Sequence, residues 1–138
     1  MNKNIEIKLF ETAKEFLIKR FPKEWGGVTA AITDKNRILT SIAPSTYNAG
    51  VELCIETGTI LEAFKYDEKI THIITIARDD ENAEIKILSP CGVCQERLSY
   101  FGKEVRCAIT NKENSLEFRT LEELMPHYWG RAYDDIKF

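Results

Sequence analysis

The stretch Val51-Glu52-Leu53-Cys54-Ile55-Glu56-Thr57-Gly58-Thr59-Ile60-Leu61-Glu62-Ala63-Phe64-Lys65, followed by His72-Ile73-Ile74-Thr75-Ile76-Ala77-Arg78, sets a helical pattern against a β-branched run. Ile60, Leu61 and Phe64 fit one helical face, so 51–65 reads as a helix and 72–78 as a buried strand. Upstream, Val28–Thr33 and Arg37–Ile42 flank the turn residues Asp34-Lys35-Asn36, which predicts a β-hairpin. Before it, Ile5, Leu9, Ala13, Phe16 and Leu17 share a face of an amphipathic helix that ends before Phe21-Pro22. Downstream, Ala83–Leu88 reads as extended, Cys91–Phe101 as a second helix behind Pro90, and Val105–Thr110 as another strand. Strands alternating with helices of this size predict an α/β fold with helices on both faces of a central sheet, made mixed by the hairpin.

Composition narrows the function classes. A chain of 138 residues with 43% hydrophobic content matches one ordinary domain, 1–138, with one filled core. Its 19 basic and 22 acidic residues give a net charge of −3, with no lysine or arginine block. That balance disfavours a nucleic-acid partner held through the phosphate backbone. The N-terminus lacks the apolar run of a signal peptide, and no stretch approaches the roughly 20 apolar residues of a membrane span. The expected location is the cytoplasm, with no membrane partner. There, four cysteines remain thiols, which favours a metal over disulfides.

Three of those cysteines carry the chemistry. Cys54-Ile55-Glu56 and Pro90-Cys91-Gly92-Val93-Cys94 bring three soft ligands and a carboxylate to two predicted helix starts. Crowded thiolates repel one another unless a cation sits among them, and zinc favours sulfur. Placement at a helix N-terminus favours each thiolate by about 0.3–1 kcal/mol, so the metal performs most of the neutralisation. Cys54, Cys91 and Cys94 would occupy three tetrahedral positions and leave the fourth for water, a layout that suits hydrolysis. Glu56, two residues from a ligand, is the candidate proton carrier; the alternative is a first-turn carboxylate that only complements the helix dipole.

Two other readings of the cysteines stand beside this one. A structural zinc needs a fourth ligand, for which Cys107, His72 and His127 are the candidates. Cys107 alternates with Val105 and Ile109 and reads as a buried strand residue, His72 sits inside an aliphatic strand, and His127 follows Pro126 near the surface. A redox reading takes Cys91-Gly92-Val93-Cys94 as an exchange motif but leaves Cys54 and Glu56 without a role.

These segments resemble the cytidine deaminase-like zinc hydrolases. The likeness extends to Gly27–Ile32 with Asn36–Thr40, to Ser89–Leu98, and to Leu121-Glu122-Glu123-Leu124-Met125-Pro126, so it covers most of the chain. It implies a three-layer α/β/α domain and hydrolytic deamination of a cytosine nucleoside, cytidine or deoxycytidine, to the uracil nucleoside and ammonia. It also implies a homotetramer of the branch that includes blasticidin S deaminase. By the same resemblance, Ile55 and Ser89 present backbone groups to the base. Tyr128 and Trp129 are similar to an aromatic tail that caps it.

Departures from the family pattern fall around the substrate. Ala43-Pro44-Ser45-Thr46-Tyr47-Asn48 has no carboxylate where cytidine deaminases carry an Asn-x-Glu ribose element. Gly26 and Gly27, with Trp25 before them, replace an expected aromatic, and Thr57 and Gln95 replace charge-softening arginines. Arg97, on the same helix face as Cys94, is the candidate substitute. Deamination of blasticidin S or another modified nucleoside is the alternative substrate reading. A non-catalytic zinc-stabilised nucleoside-binding oligomer is the alternative from another class.

Overall fold

The amphipathic pattern of the first helix is realised in α1, Asn2–Arg20, in the computed structural model, which describes residues 2–138. Leu9, Ala13 and Leu17 are fully buried against one face of the sheet. Burial of each of these leucines stabilises the fold by about 1.5–3 kcal/mol. The chain then forms β1, Gly26–Thr33, and β2, Ile38–Ser41, around a turn in which Asn36 takes a left-handed φ of 62°. Asparagine tolerates that conformation better than most residues. The predicted hairpin is therefore present, one residue narrower at each end of its second strand.

The next helix, α2, spans Thr57–Tyr66, not 51–65. Asn48 instead caps a single 3-10 turn at Ala49–Val51 by accepting from the Gly50 amide at 2.9 Å, and Glu52 then turns extended. Ser41 donates to the Ile55 carbonyl at 2.7 Å, which pins the stretch before α2 to the end of β2. Cys54, Ile55 and Glu56 thus occupy the turn that leads into the helix.

Strand β3, Ile70–Arg78, is followed by β4, Lys86–Leu88, and by α3, Gly92–Leu98, which continues as a 3-10 turn through Phe101. Strands β5, Arg106–Ala108, and β6, Phe118–Thr120, precede the short α4, Leu121–Leu124. The sheet runs β2-β1-β3-β5-β6. Along the edge of β3 opposite β1, β5 pairs with His72–Ile73 and β4 with Thr75–Ala77. Among the described residues only the β3–β5 pairing is parallel, so the sheet is mixed as expected.

Alternation along the strands divides the core into two layers. Val28, Ala30, Ile32, Ile74 and Ile76 face α1, while Ala31, Ile73 and Cys107 face Ile60, Ala63, Cys94 and Leu98 of α2 and α3. The result is the three-layer α/β/α arrangement. Among the described residues no helix is long and apolar enough to cross a membrane.

At the sheet end remote from the cysteines, Thr33, Arg37 and Glu68 lock the hairpin to the α2–β3 connection. The buried Glu68 accepts from Thr33 at 2.6 Å and from Arg37 Nε and Nη2 at 3.1 Å. Arg37 first, and Thr33 second, hold its carboxyl below the usual carboxylate range.

Candidate active site

Sheet order places the starts of α2 and α3 on the same face, above β1 and β3. Cys54 precedes α2, Cys91 occupies the N-cap position of α3, and Cys94 lies in its first turn. Their three sulfurs lie within 4.8 Å of one another, with Cys54 and Cys91 Sγ 3.3 Å apart. All four cysteines are free thiols. Cys94 is buried, Cys54 half-buried and Cys91 exposed, so the cluster has one protein side and one solvent side.

The electrostatics show what three acidic thiols do at close range. Burial, then the Glu56 charge, drives Cys94 far above the ordinary thiol value, and burial followed by the Cys91 sulfur raises Cys54. Burial also works to raise Cys91, but the Cys94 amide, the Cys54 thiol and the Val93 amide outweigh it and bring Cys91 down. The three thiols are thus pushed in opposite directions, Cys91 down and Cys54 and Cys94 up, and a cation at the centre would favour the ionised form of all three.

The donor set fits zinc. Tetrahedral thiolates at zinc–sulfur bonds of about 2.3 Å place sulfurs about 3.8 Å apart, inside the span of this cluster. No further Cys, His, Asp or Glu joins the group among the described residues. The three fourth-ligand candidates lie elsewhere. Cys107 is buried on β5, where burial pushes its thiol up to about 12. His72 packs edge-on against Phe118 in the α1 layer, and His127 is exposed.

Glu56 sits at the N-cap position of α2 and is 5% exposed. Its Oε2 lies 3.4 Å from Cys94 Sγ, and its Oε1 accepts from Thr75 Oγ1 at 3.0 Å. Thr75 is in turn 2.6 Å from Thr29 Oγ1. Neither threonine stood out in the sequence. The usable signal was a hydroxyl inside an aliphatic strand, but the partner across β1 and β3 becomes evident only from register.

The remaining candidates separate into two groups. Ile55 lies at the cluster, where its Cδ1 stands 2.6 Å from the position a Cβ would take on Gly27. Ser89 is held by Thr110 on two sides, donating its amide to Oγ1 at 3.0 Å and accepting the Thr110 amide at 2.8 Å. Arg97 donates from Nη1 to Thr57 Oγ1 at 3.0 Å and so joins α3 to the first residue of α2. Tyr128 and Trp129 lie towards the C-terminal end of α3. Trp129 donates to Glu96 at 2.6 Å, Tyr128 stacks on Phe138, and both line a cavity of about 360 Å³ with Ser99, Tyr100 and Asp135. A single chain does not bring that cavity to the sulfurs.

A mixed sheet between helical layers, with three converging thiols and a buried carboxylate at two helix starts, defines an α/β/α protein with a candidate thiolate metal site. Comparison with known proteins gives the family. The chain is 50% identical to the cytidine deaminase from Bacillus anthracis, with a TM-score of 0.92 over 95% of this chain and 94% of that one. It is 28% identical over 132 residues to a blasticidin-S deaminase from Bacillus cereus, covering 91% of this chain and 93% of that protein. The cytidine deaminase from Mycobacterium leprae, 17% identical with a TM-score of 0.65 over 86% of this chain and 98% of that one, shares the fold. No protein-family model matches. The chain belongs to the cytidine deaminase family.

Proposed function

We propose that the protein catalyses zinc-dependent hydrolytic deamination of a cytosine nucleoside, yielding the uracil nucleoside and ammonia. The observation that carries this reading is the convergence of Cys54, Cys91 and Cys94 beside the buried Glu56 carboxylate. These three residues hold the metal. Zinc so held supplies the Lewis acid that makes water a nucleophile near neutral pH. Glu56 accepts one proton of the attacking water and delivers it to ring N3 as the new C4–O bond forms; it then takes the proton of the C4 hydroxyl and passes it to the amine as the C4–N bond breaks and the C4 carbonyl forms. One water is consumed and one ammonia released.

The pocket around that step is built largely from backbone. The Ser89 peptide, fixed through Thr110, and the Cys91 backbone accept from the substrate amino group, while the Ile55 amide meets the pyrimidine edge. Arg97 steadies the junction of α2 and α3 and brings a positive charge to it. Tyr128 and Trp129, at the other end of α3, join the base pocket of a neighbouring copy in a homotetramer. Exposed Leu53, Leu61, Phe64 and Val93 supply apolar area for such contacts.

A second substrate reading has its own support. The Ala43–Asn48 loop carries no carboxylate for a ribose hydroxyl, and a blasticidin-S deaminase is among the relatives. Ammonia release by zinc-loaded protein from cytosine, cytidine, deoxycytidine, blasticidin S, adenosine and guanine separates the readings. Turnover of cytidine or deoxycytidine above the others is expected. A preference for blasticidin S selects the second reading, and no turnover on any compound selects the non-catalytic binder.

A further inference from the structure

Two hydroxyls lie in the apolar layer beneath the sulfur cluster. Thr29 and Thr75 face each other directly across β1 and β3, with exposures of 0% and 4%. Their neighbours on that face of the sheet include Ala31, Ile73 and Cys107, all packed in the core shared with α2 and α3. An aliphatic residue at either position would need no hydrogen-bond partner, whereas a buried hydroxyl does. Among the described residues, the side-chain hydrogen bonds of this pair run to each other at 2.6 Å and to Glu56 at 3.0 Å.

Proton counting gives the chain a direction. A carboxylate only accepts, so the single hydroxyl proton of Thr75 is committed to Glu56 Oε1. Thr75 therefore accepts from Thr29, and the sequence of donation is Thr29 to Thr75 to Glu56. With Oε1 engaged from the sheet, Oε2 is the oxygen turned to the sulfurs, 3.4 Å from Cys94 Sγ.

We propose that Thr75, supported by Thr29, is a positioning residue for Glu56: the two strand hydroxyls fix the rotation of its carboxylate and reserve Oε2 for proton transfer. This inference rests on the deaminase reading above. Neither threonine touches substrate or metal. Their contribution is to restrict the carboxylate to the productive orientation before substrate arrives, and misplacement of a catalytic group by about 1 Å can cost on the order of 100-fold in rate.

The test uses the zinc-loaded full-length protein and its Thr75→Val, Thr75→Ser, Thr29→Val and double Thr29→Val/Thr75→Val variants. Valine keeps the shape and removes the hydroxyl; serine keeps the hydroxyl. Thr75→Val is expected to lower kcat by about 10- to 100-fold with KM within about twofold. Zinc content should stay at the wild-type level and Thr75→Ser should recover most of kcat, while the fall in Tm that an unpartnered Thr29 hydroxyl brings to Thr75→Val should be relieved in the double variant with kcat still low. Thr29→Val should lower kcat several-fold alone and have no further effect in the Thr75→Val background, because its only route to Glu56 runs through Thr75. Crystals of Thr75→Val should show the Glu56 carboxylate in more than one orientation. The proposal is overturned by wild-type kcat in Thr75→Val, by an equal loss in Thr75→Ser, or by a loss that tracks zinc content or Tm. A wild-type protein with no turnover on any nucleoside overturns the deaminase reading and this one together; an active wild type with an unimpaired Thr75→Val overturns this one alone.

Discussion

Adjacent glycines at the start of β1 make different demands. A Cβ on Gly26 would lie 2.4 Å from Phe21 Cγ and 2.5 Å from its Cβ, atoms near the backbone that have little room to move. On Gly27 it would meet Ile55 Cδ1 at 2.6 Å, the far end of a flexible side chain that can swing away. Gly26→Ala should therefore cost about 1–3 kcal/mol of stability, as overpacking does, and lower Tm. Gly27→Ala should leave Tm nearly unchanged and raise KM, because the displaced Ile55 tip enters the proposed base pocket. Ile55→Val, which lacks Cδ1, should reverse that rise. Steady-state kinetics and thermal unfolding of the three variants check this, and a Gly27→Ala protein with wild-type KM would remove Ile55 from the pocket. The same pair explains the missing aromatic of the first hairpin: Trp25 and Ile55 crowd Gly27 from two sides.

At the scale of elements, the clamp made by Thr33, Arg37 and Glu68 predicts a pH dependence. Glu68 is held below its ordinary value in the folded state, so the unfolded chain binds its proton first as pH falls. Its contribution is complete above the ordinary carboxylate range, about 4.3, and disappears as pH drops through the lower folded value. Glu68→Gln should lower Tm at neutral pH and flatten the decline of Tm below pH about 4.5, measured by calorimetry. A mutant curve parallel to wild type through that range would remove Glu68 as the cause. Elements of this kind were unevenly legible in the sequence. The helical face of α1, the Asp34–Asn36 turn and the Cys91–Cys94 helix start follow from local periodicity and turn chemistry. The start of α2 did not, because an Asn48 cap and the Ser41 grip on Ile55 hold 49–56 out of the helix by contacts. Strand β6 has only three residues and exists through its pairing with β5, which local pattern does not encode. The sulfur cluster was readable from spacing, whereas Thr29 and Thr75 required the register of two strands.

For the molecule as a whole, large apolar side chains remain exposed on the helical side that carries the cluster, Leu61 at 62%, Val93 at 54% and Leu53 at 47% among them. A homotetramer that covers them should sediment with four times the 15.9 kDa chain mass. A sedimentation profile at the single-chain mass would contradict that arrangement and, with it, the placement of Tyr128 and Trp129 in a neighbour's pocket. In the proposed reaction Cys54, Cys91 and Cys94 would hold one zinc while Glu56 moves the proton. Zinc content and ammonia release measured together, on wild type and on Glu56→Gln, test it most directly. About one zinc per chain is expected in both proteins, with turnover of a cytosine nucleoside in wild type and a loss of at least about 100-fold in Glu56→Gln. Turnover by Glu56→Gln equal to wild type, or an active protein that binds no zinc, would contradict it.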